Sequence, residues 1–158
     1  MALNQSLARL DQLGVNPEDK DIPWNIYSSA VAKSVVEAIA EASNFTFNQD
    51  MPHPDLYHPD LDPTDPDWAL EISATQHVGK GGEMTAPHQG WLMIVVYKVI
   101  EHQTHIIQVE IAHLSRTEWV IHQRGRLAKR SRTAVTIASA TERLRENSVY
   151  LEMLLANL

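Results

Sequence analysis

The sequence predicts an α/β fold in a single domain, and three observations carry that expectation. Residues 25–43 repeat apolar side chains at helical spacing. Residues 91–100, WLMIVVYKVI, form a continuous apolar run of strand length. Residues 104–114, THIIQVEIAHL, alternate in the manner of a second strand, with Glu101, His102 and Gln103 as the hairpin turn between the two. A chain of 158 residues fits one domain, and its 44% hydrophobic content is enough for a substantial core.

Leu3, Leu7, Leu10 and Leu13 recur at helical spacing until Gly14 and Pro17 stop the pattern, which predicts a short amphipathic helix over 2–13. Residues 1–20 are thereby an arm that packs on the core or on a partner subunit. Helix 25–43 follows a polar turn, with Val31, Val35, Ala38, Ile39 and Ala42 along one face. Glu37 and Glu41 flank that stripe, either as solvated charges or turned toward the acidic strand that comes next.

Residues 44–67 contain Pro52, Pro54, Pro59, Pro63 and Pro66, a density that forbids a regular helix or a central strand. The repeat HPDLYHPDL holds His53, Asp55, His58 and Asp60, a set able in principle to ligate a transition metal, although its spacing matches no zinc pattern. As a rigid surface loop it would instead deliver one carboxylate to a site. A strand is predicted over 68–75, WALEISAT, with Trp68, Leu70 and Ile72 on one face and Ala69, Glu71 and Ser73 on the other. Glu71 is the unexpected residue there, because an ionised carboxylate is seldom buried without a metal ion or a cationic side chain beside it. The stretch GKGGE, residues 79–83, departs from the phosphate-loop motif and reads as a loop carrying Lys80.

Past the two long strands, Ser115 and Glu118 have capping-box form and open a short helix through about Val120. Arg124, Arg126, Lys129, Arg130 and Arg132 then crowd together beside Gln123, Ser131 and Thr133. Such a run is a solvated charge cluster or a phosphate-binding stripe, and its polar neighbours favour the second. A helix over 141–147 capped by Thr141, an edge strand over 149–151 and an apolar tail complete the chain.

The net charge is −7, yet its distribution is uneven. Residues 1–75 carry 3 basic and 13 acidic side chains, whereas residues 116–145 carry 8 basic and 2 acidic. An acidic half that recruits cations and a basic stripe that meets phosphates are compatible with nucleic-acid chemistry despite the overall sign. The absence of cysteine excludes disulfides, thiolate metal sites and thiol redox chemistry. No apolar run approaches the roughly 20 residues of a membrane span, and MALNQSLARLDQL lacks a signal peptide's apolar centre, so the expectation is a cytoplasmic protein with no membrane partner.

The order helix, acidic loop, strand with Glu71, two long strands, basic segment and final helix, with Pro59-Asp60 eleven residues before Glu71, resembles the PD-(D/E)xK nuclease superfamily, the fold of many restriction endonucleases. The resemblance covers roughly residues 25–151 and implies a central mixed β-sheet flanked by helices. It implies Asp60 and Glu71 as ligands of one or two Mg²⁺ (or Mn²⁺), with Pro54-Asp55 as the alternative first position. It further implies hydrolysis of duplex DNA, Arg124 to Arg132 as the backbone anchor, and a homodimer that cuts both strands. The motif's lysine falls on Ser73, which cannot supply positive charge, and Gln76 or Lys80 are the substitutes within reach along the chain. Two readings compete: a nucleic-acid-binding module of the same fold without hydrolysis, which Ser73 fits, and an acidic protein-interaction or inhibitor protein, which the charge of the first half fits.

Overall fold

A computed structural model describes residues 24–48, 54–62, 64–101, 103–123 and 132–151. The expected helix 2–13, the basic residues Arg124, Arg126, Lys129 and Arg130, and the apolar tail lie outside the described residues. Helix α1 spans Trp24–Ala42, and strands β1 (Thr46–Phe47), β2 (Leu56–Tyr57) and β3 (Ala69–Thr75) follow it. Then come β4 (Glu83–Met84), β5 (Gly90–Ile100), β6 (Gln103–Leu114), a 3₁₀ turn at Arg116–Glu118, β7 (Trp119–Gln123), β8 (Arg132–Thr136), α2 (Ala138–Glu146) and β9 (Ser148–Leu151).

The larger sheet has six strands in the order β1-β2-β3-β5-β6-β9. It is mixed: β3 and β5 run parallel, from Leu70 beside Trp91 to Thr75 beside Val96, and every other neighbouring pair is antiparallel. The chain is therefore an α/β domain with a mixed sheet. A β3–β5 parallel pair needs a crossover, and residues 76–89, with β4 inside them, provide it without a helix.

Period-two alternation divides the side chains of β3, β5 and β6 between two cores. On one face Ile72, Val95, Tyr97 and Ile106 pack with Tyr27, Val31, Val35 and Val36 of α1. On the other, Leu92, Ile94, Val96, Ile107, Ala112 and Leu114 meet Trp119, Ala134, Ala140 and Leu144 from β7, β8 and α2. The apolar run 91–100 is explained by this arrangement, since a strand covered on both faces has no polar side. Polar ties fix each cover. Tyr97 Oη lies 2.9 Å from Ser28 Oγ, and Tyr27 Oη is bonded to Thr104 Oγ1. Arg143 of α2 pairs with Glu118 at 2.7 Å and donates to the His113 carbonyl at 2.8 Å. Tyr97→Phe removes one buried hydroxyl and leaves Ser28 short of a partner, so a loss of about 1 kcal/mol is expected in chemical denaturation.

Several boundaries depart from the expectations. Residues 44–67 do contain strands, but only two residues each, β1 at the sheet edge and β2 next to it, and neither includes a proline. Ser115 N donates to Glu118 Oε2 at 2.8 Å as the capping-box form predicts, and the Ser115 hydroxyl donates to the same oxygen at 3.0 Å, yet the turn ends after three residues because Trp119 enters a second sheet, ordered β4-β8-β7. The final helix begins at Ala138 rather than at Thr141, whose hydroxyl instead bonds Thr136 at 2.8 Å.

Candidate active site

Glu71 is buried at 7% exposure, with its side chain on the face opposite α1, as alternation along ALEISAT requires. Strand β2 pairs with β3 in antiparallel register, Leu56 opposite Leu70 and Tyr57 opposite Ala69. The next position back along β2, Asp55, therefore stands beside Glu71. The Ile72 amide donates to Asp55 Oδ2 at 2.7 Å, and the Asp55 carbonyl accepts from Asn48 N at 2.9 Å, so both its carboxylate and its backbone are held. Pro54, buried immediately before it, fixes the local φ.

Asp60, the aspartate expected at this place, is not brought to Glu71. It sits exposed in a turn where its amide donates to His58 Nδ1 at 3.3 Å. The reason is the register: in an antiparallel pair every residue beyond Tyr57 moves away from Glu71, and spacing in the sequence counts the intervening turn residues as though they were strand. Asp62 is likewise taken up in its own turn, where hydrogen bonds from the Thr64 hydroxyl and amide, at 2.7 and 2.8 Å, lower its pKa.

The substitutes for the missing lysine are also placed elsewhere. Gln76 follows the even-numbered residues onto the α1 face, with Nε2 directed at Tyr97 Oη at 3.5 Å. Lys80 lies on the crossover loop and is paired with Glu83 at 2.7 Å. Ser73 does share the face of Glu71, half-buried, in a row with Ile94 and Glu110 across β5 and β6. Glu37 pairs with Lys33 at 4.0 Å on the outside of α1, and Glu41 is exposed, so neither reaches the acidic strand. Arg132 opens β8, and the other four basic residues of its cluster lie outside the described residues.

Beside the two acids opens a cleft of about 340 Å³ whose lining includes Pro54, Ala69, Met84, His88 and Arg116. Ala69 precedes Glu71 by two residues on the same face, about 7 Å along the strand, and Pro54 directly precedes Asp55. The cleft thus meets the segments that carry both carboxylates, neither of which is itself in its lining. His88, one of the scattered histidines, belongs to this wall, while His113 packs edge-on against Trp91 with ring centroids 5.4 Å apart. Gly90 makes the wall possible: at φ +125° a Cβ would lie 2.7 Å from the Pro66 carbonyl and 3.2 Å from His88 Nε2.

Two further functional candidates escaped the sequence reading. Arg116 lines the cleft and makes no ion pair with any described residue. Glu110, in the middle of β6, is fully buried on the Glu71 face and accepts from Gln108 Nε2 at 2.9 Å. Burial raises its carboxyl above the ordinary glutamate range, while the Arg145 guanidinium and the Gly79 amide pull in the opposite direction. The signal for it was present in β6, where Gln108, Glu110, Ala112 and Leu114 share one face and the buried amide and carboxylate break its apolar pattern. Among the described residues no group of three or more acids or histidines is gathered closely enough to hold a metal ion by itself. Among the described residues no helix is long and apolar enough to cross a membrane. Comparison with protein-family models, curated proteins and solved structures returns no match.

Proposed function

We propose that the chain is a metal-dependent DNA endonuclease of the restriction-endonuclease-like fold, with Asp55 rather than Asp60 as the partner of Glu71. The observation that carries this reading is the bond from the Ile72 amide to Asp55, which sets a proline-preceded aspartate beside a buried glutamate in a mixed sheet. Two adjacent carboxylates repel, and a bound divalent cation relieves that repulsion. Their oxygens suit Mg²⁺ or Mn²⁺, and Mg²⁺ is ordinarily held by only one or two carboxylates, the substrate phosphate and water, so this pair fits. When bound, the ion supplies Lewis acidity and a water of lowered pKa.

The chain's own groups have separable tasks. Asp55 is oriented by the backbone, and Glu71 is fixed by the strand, so neither carboxylate has to be ordered when substrate arrives. Ser73 offers a hydroxyl to a water but no charge. The cluster Arg124, Arg126, Lys129, Arg130 and Arg132 is assigned the contacts to the backbone of duplex DNA, and a homodimer is the assembly that would cut both strands. A second reading, a binding module without hydrolysis, is favoured by one specific observation: Gln76 turns to the α1 face, toward Tyr97, and Lys80 is taken up by Glu83.

Cleavage of supercoiled plasmid with Mg²⁺ or Mn²⁺ tests the proposal. Asp55→Ala and Glu71→Ala are each expected to lower the rate by about 100-fold or more, the scale of losing transition-state electrostatics. Asp60→Ala, in its exposed turn, is expected to stay within about twofold. Cutting that survives Glu71→Ala would refute the assignment of the site. Salt-sensitive DNA binding that persists in EDTA, with no cutting, would establish the binding module instead.

A further inference from the structure

We infer that the cleft beside Asp55 and Glu71 is a nucleotide pocket, which receives one nucleotide of a single-stranded or frayed DNA segment with its phosphate on Arg116. The inference rests on the proposed hydrolytic role of the acidic pair and narrows its substrate. Four features of the cleft support it.

The volume, about 340 Å³, lies at the small end of the range for small-molecule sites, about 300–1,000 Å³. It has room for one base with its sugar. The walls are rigid and largely apolar: Pro54, Pro66 and Pro87 have fixed φ, and Met84 and the His88 ring offer polarisable surface to the face of a base. Arg116 is the cation of the lining, and no described carboxylate occupies it, so its guanidinium is available for a phosphate. Finally, Pro54 directly precedes Asp55 and Ala69 shares the strand and face of Glu71, so the cleft opens next to the segments that carry the two acids. A duplex whose bases remain stacked and paired cannot enter, whereas an unpaired strand can.

Two measurements on the full chain separate this inference from the reading it rests on. The first is calorimetric binding of dAMP in EDTA to the wild type, Arg116→Gln, Ala86→Trp and Glu71→Ala. Ala86 lines the cleft from an exposed loop, so the tryptophan fills the cavity without entering the core. Binding by the wild type and by Glu71→Ala, weakened about tenfold by Arg116→Gln and abolished by Ala86→Trp, is the expected result. The second is cleavage of one labelled oligonucleotide, single-stranded and fully paired, with Mn²⁺. A preference for the single strand of at least tenfold that Ala86→Trp removes is expected. Undetectable dAMP binding, or binding and strand preference unchanged by Ala86→Trp, overturns the pocket. Pocket-dependent dAMP binding without metal-dependent cleavage would retain the pocket and refute hydrolysis.

Discussion

Gly81→Ala is expected to destabilise the fold by about 2–4 kcal/mol, among the largest costs of any single methyl group in this chain. Gly81 sits at φ +74°, a conformation that costs any residue with a Cβ. The added carbon would also lie 2.3 Å from Thr136 Oγ1 and 2.5 Å from Thr141 Oγ1. Those two hydroxyls are bonded to each other at 2.8 Å, and Thr136 Oγ1 further accepts the Gly82 amide at 3.1 Å. The return bond runs from Thr136 N to the Gly82 carbonyl at 3.1 Å. The new methyl therefore breaks the junction at which the β3–β5 crossover is attached to β8 and to α2. Urea unfolding of Gly81→Ala beside Thr141→Ala provides the check. Thr141→Ala deletes one hydroxyl and opens space, so it should cost much less, about 1 kcal/mol. Equal losses in the two variants would mean that backbone strain and overlap at Gly81 are not what limits this junction.

That junction also explains what the sequence could and could not reveal. Helix α1 and strands β3, β5 and β6 were legible because each buries a face large enough to impose a period on its residues: Val31 and Val35 on α1, Leu70 and Ile72 on β3. The second sheet was not. Its β7 exposes Val120 and Ile121, so the apolar residues there do not report burial, and its hairpin partner β8 begins inside the basic cluster, where charge obscured the strand. The candidate site was half legible for a related reason. A buried Glu71 is a local anomaly that the alternation of a single strand exposes. The choice between Asp55 and Asp60 depends on cross-strand register, which is set by how the proline-rich segment turns and not by the number of residues in it. Arg116 carried no mark, since one arginine in a capped turn has no periodic partner.

Glu110→Gln is expected to remove the pH dependence that the buried carboxyl gives the wild type. Desolvation raises the Glu110 pKa in the folded protein above its value in the unfolded chain, against the opposing pull of Arg145 and the Gly79 amide. The folded state then binds the proton more tightly. The stabilisation is fully present below the unfolded pKa, near the ordinary glutamate value of 4.5, and is lost as pH rises through the raised folded pKa. Above that, the fold carries a fully buried carboxylate of which Oε1 accepts from Gln108 Nε2 at 2.9 Å while Oε2 has no hydrogen-bond partner among the described residues. Glutamine keeps the shape and an acceptor for Gln108 but cannot ionise. The wild type should therefore gain stability relative to Glu110→Gln on going from pH 7.5 to pH 4, measured as the difference between their denaturation midpoints. Removing the guanidinium with Arg145→Gln should enlarge that gain, because a charge that favours the ionised form is then gone. A wild type that instead gains on the variant as pH rises would show that the pair with Arg145 outweighs burial. In that case Glu110 acts as an ionised clamp holding the Gly79 loop against α2, whose Arg145 Cδ already lies only 3.3 Å from the position of a Gly79 Cβ.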